Sequence, residues 1–416
     1  MKQKNDNHEE CFAALDIGSS KVLCLVAKQG SRPNTLRVMG IGDAPSRGVK
    51  YGCIDNLGEA VKSIQNAVDI AGYTANVRIT GVWAAIGGQW LRSVNCIGQT
   101  VLRGREVTSD DVQQAENNAR QAARQALPDE TSEFIKIIPQ GYRCGDVMLD
   151  QPLGLVGPKL EAFVHAIYGT RSTAQNLKHS IERAGGVELF DYEPHPWAAA
   201  RGALSMTERE CGVALIDIGA QTTSLIVFRD NRILFSNVRP WGADTITRDI
   251  AIVLGIDLKD AEDLKQRWGE CRPSEVAPGE TVQIETTSDY SRSYGRELLV
   301  KTIASRMYEM FELYRRILVE AKALDQIEAI VLTGGGAKLN GIAEMASSIF
   351  GRTVRVGCPR DIEGDTLLSQ RPDAVVATGL AFCALDRSVK GAERVYGARR
   401  GRTFRDRLKT FFIGDY

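Results

Sequence analysis

The pattern of apolar and polar positions predicts a chain that contains the same β-hairpin twice. Residues 13–26 (AALDIGSSKVLCLV) read as an apolar strand, a polar turn and a second apolar strand, and residues 214–227 (ALIDIGAQTTSLIV) repeat that order. Each turn carries Asp-Ile-Gly, in which glycine permits a positive φ or a close approach of the backbone. The repetition predicts a duplicated, two-lobed protein.

Helical periodicity alternates with strands between and after the two hairpins, which is typical of an α/β fold. Apolar residues at helical spacing predict a helix from Leu57 that stops at Gly72. Ser172 and Gln175 have the spacing of a capping box at the start of another helix. The segment 271–289 is rich in Pro, Gly, Ser and Thr and is predicted to be a loop before a long helix.

Residues 88–168 predict a small α+β insert that interrupts the first lobe. A helix is expected from near Thr108 to Pro128, followed by strands at 133–138 and 160–168. The first lobe is therefore expected to consist of two stretches of chain.

Composition limits the partners of the chain as a whole. The 52 basic and 52 acidic side chains give a formal net charge of zero, so no general attraction to nucleic acid is expected, and an anionic partner must meet a local basic patch. No apolar run approaches the roughly 18 residues of a membrane span, and residues 1–10 lack the apolar stretch of a signal peptide. A cytoplasmic protein is expected.

Both hairpin turns carry groups suited to phosphate and magnesium. Backbone N–H groups, hydroxyls and an ammonium can contact phosphate oxygens, and an aspartate at each turn can hold the hydration shell of Mg²⁺. One Asp-Gly turn alone is common, but its duplication favours a two-sided phosphate clamp. The candidate nucleotide-binding residues are Asp16, Gly18, Ser19, Ser20 and Lys21 in the first turn and Asp217, Gly219, Ala220, Gln221, Thr222 and Thr223 in the second.

A third candidate motif follows the apolar strand predicted at 329–333. Its triple glycine, Gly334, Gly335 and Gly336, would let a flat base lie against bare backbone, and Lys338 adds a cation. Taken alone, a strand-to-helix connection that needs positive φ explains the same residues. The order of hairpin, insert, hairpin and strand-glycine-helix favours a nucleotide site.

This order resembles the two phosphate motifs and the adenosine motif of the actin, sugar-kinase and heat-shock chaperone superfamily. Residues 52–55 (GCID), 104–108 (GREVT) and 160–165 (LEAFVH) resemble the FtsA family of bacterial cell-division proteins. The resemblance implies an α/β, two-lobed actin-like ATPase fold with an inserted α+β subdomain, called 1C, in the first lobe and a C-terminal amphipathic helix. The implied boundaries are 10–87 and 372–388 for subdomain 1A, 88–169 for 1C, 170–243 and 318–371 for 2A, 244–317 for 2B, 389–402 for a basic linker and 403–416 for the membrane-targeting helix.

The same resemblance implies a function. The chain is expected to bind ATP, to polymerise on the cytoplasmic face of the inner membrane at the division site, to tether FtsZ there and to help assemble the septal ring. ATP and Mg²⁺ are the implied cofactors, with Asp16 and Asp217 acting on the metal through water. The implied partners are the C-terminal tail of FtsZ, further copies of the chain, anionic lipids and, through the insert, later division proteins.

Two further sets of residues follow from the resemblance. Glu262 and Lys265 lie on a helix like the one that reaches the ribose and base in actin-like filament proteins, with a solvated helix face as an equal alternative. The FtsZ tail is expected at subdomain 2B, because basic side chains suit an acidic peptide. The candidate residues there are Arg296, Arg306, Arg315 and Arg316, each of which could also lie on a solvated helix face.

Two features bear on hydrolysis. Related second motifs read Gly-Gly-Gly-Thr where this chain has Ala220 and Gln221, so its backbone is expected to approach phosphates less freely. His195 aligns with a water-polarising glutamate of MreB-type proteins, and Glu193 lies two residues away. The simpler interpretation of His195 is a residue between two prolines at a helix start. No catalytic base is assigned, and hydrolysis is expected to be slow or absent.

The final segment predicts a contact with membrane. Phe404, Leu408, Phe411 and Phe412 share one helical face, and basic residues that include Arg405 fill much of the rest. A terminal helix docked on its own core is the alternative. The basic linker ahead of it favours the membrane, with weak binding that polymerisation multiplies.

Two other functions stay open. A pilus-assembly scaffold of the PilM type shares the hairpins and the insert, although the terminal amphipathic segment favours the FtsA family. A small-molecule kinase of the same superfamily would need a general base beside an acceptor hydroxyl, and the sequence offers no obvious motif for one.

Overall fold

The computed structural model describes residues 11–285 and 291–389. Within these ranges, none of the helices combines the length and the apolar character needed to cross a membrane. The predicted membrane-targeting helix (403–416) and nearly all of the predicted basic linker (389–402) lie outside the described residues.

The chain alternates between strands and helices, as the periodicity predicts. The first lobe opens with β1 (Cys11–Ile17), β2 (Lys21–Gln29), β3 (Leu36–Pro45), β4 (Val49–Lys50), β5 (Cys53–Ile54), α1 (Leu57–Ala75) and β6 (Gly81–Ile86). The insert consists of β7 (Arg92–Val101), α2 (Ser109–Gln125), β8 (Ser132–Cys144), β9 (Val147–Leu149) and β10 (Lys159–Thr170). It is followed by α3 (Arg171–Glu182), β11 (Glu188–Pro194), α4 (His195–Ala203) and α5 (Met206–Cys211).

The second lobe and the return to the first complete the described chain. Its elements are β12 (Val213–Ile218), β13 (Thr223–Arg229), β14 (Arg232–Arg239), α6 (Asp244–Leu254), α7 (Leu258–Trp268), β15 (Thr281–Glu285), β16 (Ser291–Gly295), α8 (Arg296–Glu320), β17 (Ala329–Thr333), α9 (Ile342–Phe350), β18 (Thr353–Val356), β19 (Ile362–Glu363) and α10 (Val375–Val389).

Three sheets carry the architecture. The first lobe has the strand order β11-β6-β1-β2-β3-β19, the second lobe β14-β13-β12-β17-β18 and the insert β7-β10-β8-β9. Both predicted hairpins are present, as antiparallel pairs β1/β2 and β12/β13. The first strand of each hairpin has a parallel neighbour on its other side, β6 for β1 and β17 for β12. These equivalent positions confirm the predicted two-lobed α/β fold with an inserted α+β unit.

Three local predictions differ from the structure. Helix α1 passes through Gly72 and ends before Asn76, whose φ of 52° makes the left-handed turn that glycine was expected to make. The capping box at Ser172 is wrong, because Thr170 is the N-cap of α3 and makes no cap hydrogen bond to described atoms through its side chain. Part of the predicted loop 271–289 forms β15, which pairs with β16.

The boundaries between the lobes along the sequence also differ from the predicted ones. Strand β11 pairs in parallel with β6, and α3 packs against α1, so residues 171–194 belong to the first lobe. The predicted start of the second lobe at 170 is therefore too early. Strand β19 pairs with β3 of the first lobe although it was placed in subdomain 2A. Non-local strand pairing decides both points, and the other subdomain boundaries remain predictions.

The insert docks on β14, the edge strand of the second-lobe sheet. His165 is buried, with Nδ1 2.6 Å from Asn95 Oδ1 and Nε2 2.9 Å from Ser236 Oγ. Asn95 Nδ2 donates to the carbonyl of Leu234 at 2.9 Å. Burial lowers the pKa of His165 to about 4, so the ring is neutral near pH 7. With its proton on Nδ1, the neutral ring donates to Asn95 Oδ1 and accepts from the Ser236 hydroxyl at Nε2, so both ring nitrogens have a partner.

Candidate functional site

The two hairpin turns face each other across a narrow space between the lobes. In each turn a glycine N–H donates to the carbonyl three residues later at 2.9 Å, Gly18 to Lys21 and Gly219 to Thr222. The cavity between them measures about 40 Å³, room for only a few water molecules. The backbone N–H of Tyr51 closes one side by donating to Gln221 Oε1 at 2.9 Å.

His195 lines this cavity and lies between two aspartates. His195 Nδ1 lies 3.6 Å from Asp217 Oδ2, and His195 Nε2 lies 3.9 Å from Asp16 Oδ1. Among the described residues these two carboxylate oxygens are buried without a hydrogen-bond partner. Burial raises the pKa of Asp217 to about 6 and also raises the pKa of Asp16, against the opposing charge of His195. His195 is the first residue of α4, between two prolines, as the simpler interpretation predicted, and it also lies between the two aspartates.

The paired carboxylates fit a hydrated magnesium ion. Mg²⁺ uses one or two protein carboxylates and takes its remaining oxygens from water and phosphate. Within the described part of the chain, no group of three or more His, Cys, Asp or Glu side chains could hold a metal by itself. The unpaired oxygens of Asp16 and Asp217 are therefore suited to a cation that arrives with other ligands.

Two of the three candidate lysines, Lys21 and Lys338, come together at a residue that the sequence analysis missed. Asp373 Oδ1 lies 2.7 Å from Lys338 Nζ, and Oδ2 accepts hydrogen bonds from Lys21 Nζ and from Arg371 Nη2, the latter at 2.9 Å. The available signal was Pro-Asp-Ala at 372–374, directly before the apolar helix α10. Lys21 and Lys338 lie on different lobes, so this carboxylate spans the site.

The three consecutive glycines have two different structural roles. Gly334 has a φ of 83°, and a Cβ there would lie 2.2 Å from Asp217 Oδ1. A Cβ on Gly336 would lie 2.4 Å from Ile218 Cγ2, whereas one on Gly335 would meet no described atom within 4 Å. The bare backbone predicted for a base is therefore limited to Gly335, and the other two glycines pack on the second turn.

The residues of the second turn also divide into those that line the cavity and those that stabilise the surrounding backbone. Thr222 lines the cavity, as do Gly18 and Ser19 of the first turn. Thr223 is fully buried and its hydroxyl donates to the carbonyl of Trp241 at 2.6 Å. The Ala220 carbonyl accepts from the backbone N–H of Asp244 at 2.8 Å. Thr223 and Ala220 thus hold the backbone around the second turn.

Glu262 and Lys265 support the second turn from α7. Lys265 is 7% exposed, which contradicts the solvated-face alternative, and donates to the Ala243 carbonyl at 3.2 Å and to Thr247 Oγ1 at 2.8 Å. Glu262 lies 2.6 Å from the same ammonium. The backbone N–H of Ala243 in turn donates to the Gly219 carbonyl at 2.9 Å. The pair therefore fixes the segment that carries the turn.

The four arginines on α8 do not share a face. Successive helical residues turn by about 100°, so their spacing distributes them around the helix. Three of them pair with carboxylates, Arg296 with Glu280, Arg306 with Asp249 and Glu309, and Arg315 with Glu312, while Arg316 is exposed. Of the four, Arg306 lines a groove of about 380 Å³ between α6 and α8.

Glu193 lies away from the cavity. Its side chain is 1% exposed and pairs with Lys136 at 2.6 Å and with Arg387 at 2.9 Å. Both partners hold it in place on β11. Glu193 is therefore not the group that faces the two aspartates, and His195 is.

Comparison with known proteins identifies the family. A model described as "SHS2 domain inserted in FTSA" matches residues 88–168, and one described as "Cell division protein FtsA" matches residues 214–381. The cell division protein FtsA of Pseudomonas aeruginosa is 33% identical over 386 residues, covering 91% of this chain and 90% of that protein. The chain belongs to the FtsA family.

Other FtsA proteins show the same similarity. That of Neisseria meningitidis serogroup B is 31% identical over 92% of each chain, and that of Escherichia coli K12 is 30% identical over 92% of each chain. The curated FtsA relatives thus match along nearly the whole chain. Membership of this family makes the protein a cell division protein.

Solved structures show the actin-like fold. The PilM–PilN type IV pilus biogenesis complex matches with a TM-score of 0.66 at 17% identity, covering 92% of this chain and 99% of the other. MreB5 of Spiroplasma citri bound to ADP matches with a TM-score of 0.52 at 14% identity, covering 92% and 99%. At such low identity the likeness is one of fold alone. This FtsA-family chain therefore has the actin-like ATPase fold, and PilM is a distant structural neighbour.

Proposed function

We propose that this chain binds ATP with Mg²⁺ between its two hairpin turns, polymerises, and links FtsZ to the cytoplasmic face of the inner membrane at the division site. The observation that carries the nucleotide proposal is the pair of buried carboxylates, Asp16 and Asp217. Each is the second-last residue of the first strand of an equivalent hairpin, and each leaves one oxygen without a hydrogen bond beside His195, which lines the cavity.

The groups around the cavity have separate roles toward the nucleotide. The two aspartates face a hydrated cation, and backbone N–H groups of the turns with Lys21 and Lys338 meet phosphate oxygens. Magnesium supplies charge neutralisation to the phosphates when bound. A space of about 40 Å³ does not hold a triphosphate, so the lobes separate to admit it. With Glu193 held in ion pairs elsewhere, slow turnover is expected.

Equilibrium titration with ATP and Mg²⁺ tests the nucleotide proposal. Asp16→Ala and Asp217→Ala should each weaken binding by up to about 100-fold, the upper range for residues that hold a metal through its outer shell. Asp55→Ala removes a carboxylate that pairs with Lys50 outside the cavity and serves as the matched control. Unchanged affinity in both cavity variants would contradict the site.

The groove between α6 and α8 supports the proposed capture of the FtsZ tail. Arg248 and Arg306 lie in the groove beside the apolar side chains of Trp241, Ile252 and Met310. Ile252 is 79% exposed and Trp241 is 44% exposed, so apolar surface is available next to the arginines. A peptide with acidic and apolar residues suits such a groove.

Fluorescence anisotropy with a labelled FtsZ tail peptide tests this part. Arg248→Glu and Ile252→Asp should each weaken binding at least tenfold, whereas Arg316→Glu, on the same helix as Arg306 but outside the groove, should have little effect. Arg306→Glu should weaken binding as well, although it also leaves Asp249 without its partner. If reversing Arg248 and Arg306 together leaves the affinity intact, the peptide binds elsewhere.

Membrane attachment is proposed for residues 403–416 from their residue pattern. Burial of Phe404, Leu408, Phe411 and Phe412 could contribute about 1.5–3 kcal/mol each, less the cost of ordering the segment. Deleting residues 403–416, or changing Phe411 and Phe412 to Glu, should abolish flotation with anionic liposomes while leaving ATP and peptide binding unchanged. Flotation that survives both changes would overturn this part.

We propose that the insert contacts further copies of the chain or later division proteins, because it exposes apolar side chains. Val101, Val147, Leu153 and Val156 of the insert are each more than 60% exposed. Apolar surface of this kind is typical of protein interfaces. Sedimentation with ATP should show less polymer for Val101→Glu or Val156→Glu than for Val319→Glu, which changes an exposed apolar residue on α8. Equal sedimentation of all three would place the contact elsewhere.

A further inference from the structure

Asp373 lies where the chain returns from the second lobe to the first, between two lysines of the nucleotide motifs. Lys21 directly follows the first turn at the start of β2, and Lys338 follows the triple glycine of the second lobe. Both ammonium groups contact the Asp373 carboxylate, Lys21 through Oδ2 and Lys338 through Oδ1 at 2.7 Å. A single carboxylate thus engages a cation from each side of the cavity.

The backbone fixes the position of this carboxylate. The carbonyl of Pro372 accepts hydrogen bonds from the N–H of Gly334 at 3.2 Å and from Thr333 Oγ1 at 2.9 Å. These contacts join the residue before Asp373 to the end of β17 and to the first glycine of the third motif. Asp373 is therefore held in register with the second lobe while it reaches the lysine of the first.

Asp373 is ionised in this environment. Its side chain is only 8% exposed, and burial alone would raise its pKa, but hydrogen bonds from Arg371 and Lys21 outweigh burial and lower the pKa. Arg371 also lies 2.5 Å from Asp43, whose side chain is 38% exposed, so the charged cluster extends to the surface. The charge of Asp373 is consequently present near pH 7.

A carboxylate and a phosphate oxygen use the same lysine donors. The Lys338 side chain is 51% exposed, so its 2.7 Å contact with Asp373 is open to water on the side of the lysine. Water screens an ion pair in part when one of its two groups is exposed. The ammonium of Lys338 is therefore accessible to another anion from solvent.

We propose that Asp373 is an internal counter-ion that competes with the phosphate chain of a nucleotide for Lys21 and Lys338. It sets how strongly the site prefers a phosphorylated ligand over a nucleoside, and it joins the lobes until that ligand enters. This inference rests on the nucleotide binding proposed above, and it adds a residue that determines specificity at the same site.

Calorimetric titration of Asp373→Asn tests the competition. The variant removes the charge and keeps the shape, so it should bind Mg-ATP and tripolyphosphate about tenfold more tightly than the unchanged protein does. Adenosine, which has no phosphate, should bind both proteins equally. Unchanged or weaker tripolyphosphate binding by the folded variant would overturn the inference, because Asp373 would then only position the lysines or brace the lobes.

Matched variants separate the counter-ion from general charge effects. Asp43→Asn removes the same charge 3.5 Å from Lys21 but from a side chain that is 38% exposed, and it should raise affinity less than about twofold. In the background Lys21→Met with Lys338→Met, Asp373→Asn should give no gain. A gain that persists without the lysines would contradict the competition.

The tripolyphosphate arm also separates this inference from the proposed function. If neither protein binds ATP but the variant gains affinity for tripolyphosphate, the ATP proposal fails and the counter-ion stands. If both proteins bind ATP but Asp373→Asn binds neither ATP nor tripolyphosphate more tightly, the ATP proposal stands and the counter-ion inference fails. Should Asp373→Asn fail to fold, Asp373→Ser removes the same charge, leaves room for water and is read in the same way.

Discussion

The two hairpin turns share a backbone conformation and differ in what surrounds them. The glycine N–H to carbonyl hydrogen bond is 2.9 Å long in both. The first turn is followed by Lys21, whose ammonium is held by Asp373, whereas residues 217–223 include no cation. Polar side chains of the second turn instead hold backbone groups, Gln221 that of Tyr51 and Thr223 that of Trp241. The first turn thus contributes a cation that is paired with Asp373, whereas the second turn stabilises the neighbouring backbone in both lobes.

The supports of the second turn come from several elements. Lys265 on α7 holds the Ala243 carbonyl, and the Tyr314 hydroxyl on α8 donates to the Thr223 carbonyl at 3.0 Å. The insert reaches β14, the strand beside β13, through His165. Variants of the residues that support the second turn are therefore expected to lower stability, while variants near the first turn change mainly binding.

The largest effect is expected at the glycine that packs on the second turn. Gly334→Ala combines an unfavourable φ with a Cβ that would lie 2.2 Å from Asp217 Oδ1, so it should lower stability by at least about 2 kcal/mol and abolish measurable ATP binding. Gly335→Ala is the matched control, with no described atom within 4 Å of its Cβ. Thermal unfolding and ATP titration check the pair, and equal effects of the two changes would contradict the packing role.

A smaller effect is expected when acid breaks the support from the insert. The folded pKa of His165, about 4, lies below its ordinary value of 6.5, so the unfolded chain binds the proton first as the pH falls. The contribution of His165 to stability is then fully present above about pH 6.5 and is lost toward pH 4, by about 2 kcal/mol between pH 7 and pH 5. The raised pKa of Asp217 acts in the opposite direction over the same range, so thermal unfolding at both pH values is compared between the unchanged protein and a His165 variant.

Two histidine variants show whether the loss belongs to that network. His165→Gln removes the group that takes up the proton, so its loss of stability from pH 7 to pH 5 should be smaller than that of the unchanged protein by about 2 kcal/mol. His179→Gln removes an exposed histidine on α3 and is the matched control. A pH dependence that His165→Gln leaves unchanged would assign the acid sensitivity to another group.

Neighbouring threonines of the second turn should separate stability from binding. Thr223→Val leaves the Trp241 carbonyl without the hydroxyl that donates to it and should cost about 1–2 kcal/mol of stability. Thr222→Val changes a residue that lines the cavity, so it should alter ATP affinity and leave stability within about 0.5 kcal/mol. Urea unfolding and ATP titration of both variants check this, and a reversed assignment would contradict the division of roles.

The smallest effect is expected at the link between the lobes. Gln221→Ala removes the acceptor of the Tyr51 N–H at 2.9 Å, which should cost about 1 kcal/mol or less. Hydrogen exchange of the peptide that contains Tyr51 should quicken by up to about fivefold, whereas peptides from β12 should exchange as before. Unchanged exchange at Tyr51 would show that other contacts hold the lobes together.

The sequence predicted the hairpins and the strand-glycine-helix motif because these signals are local and partly duplicated. Asp373 escaped detection because its lysine partner lies 352 residues away in sequence. The place of β11 in the first-lobe sheet likewise depends on a parallel partner across the whole insert. The distribution of the arginines around α8 could have been worked out from helical geometry alone, since positive charge does not determine a face.

The end of the last described helix is anchored to the strand that leads into the cavity. The guanidinium of Arg387 binds the carboxylates of Asp191 and Glu193 on β11 and lies 4.9 Å over the ring of Trp83. Glu193 precedes His195, the residue between the two aspartates, by two positions. A mechanical pull on the end of α10 would act on β11 through Arg387 and on α4, against which α10 packs. Strand β11 and helix α4 meet at His195, so such a pull would be transmitted to the histidine of the site.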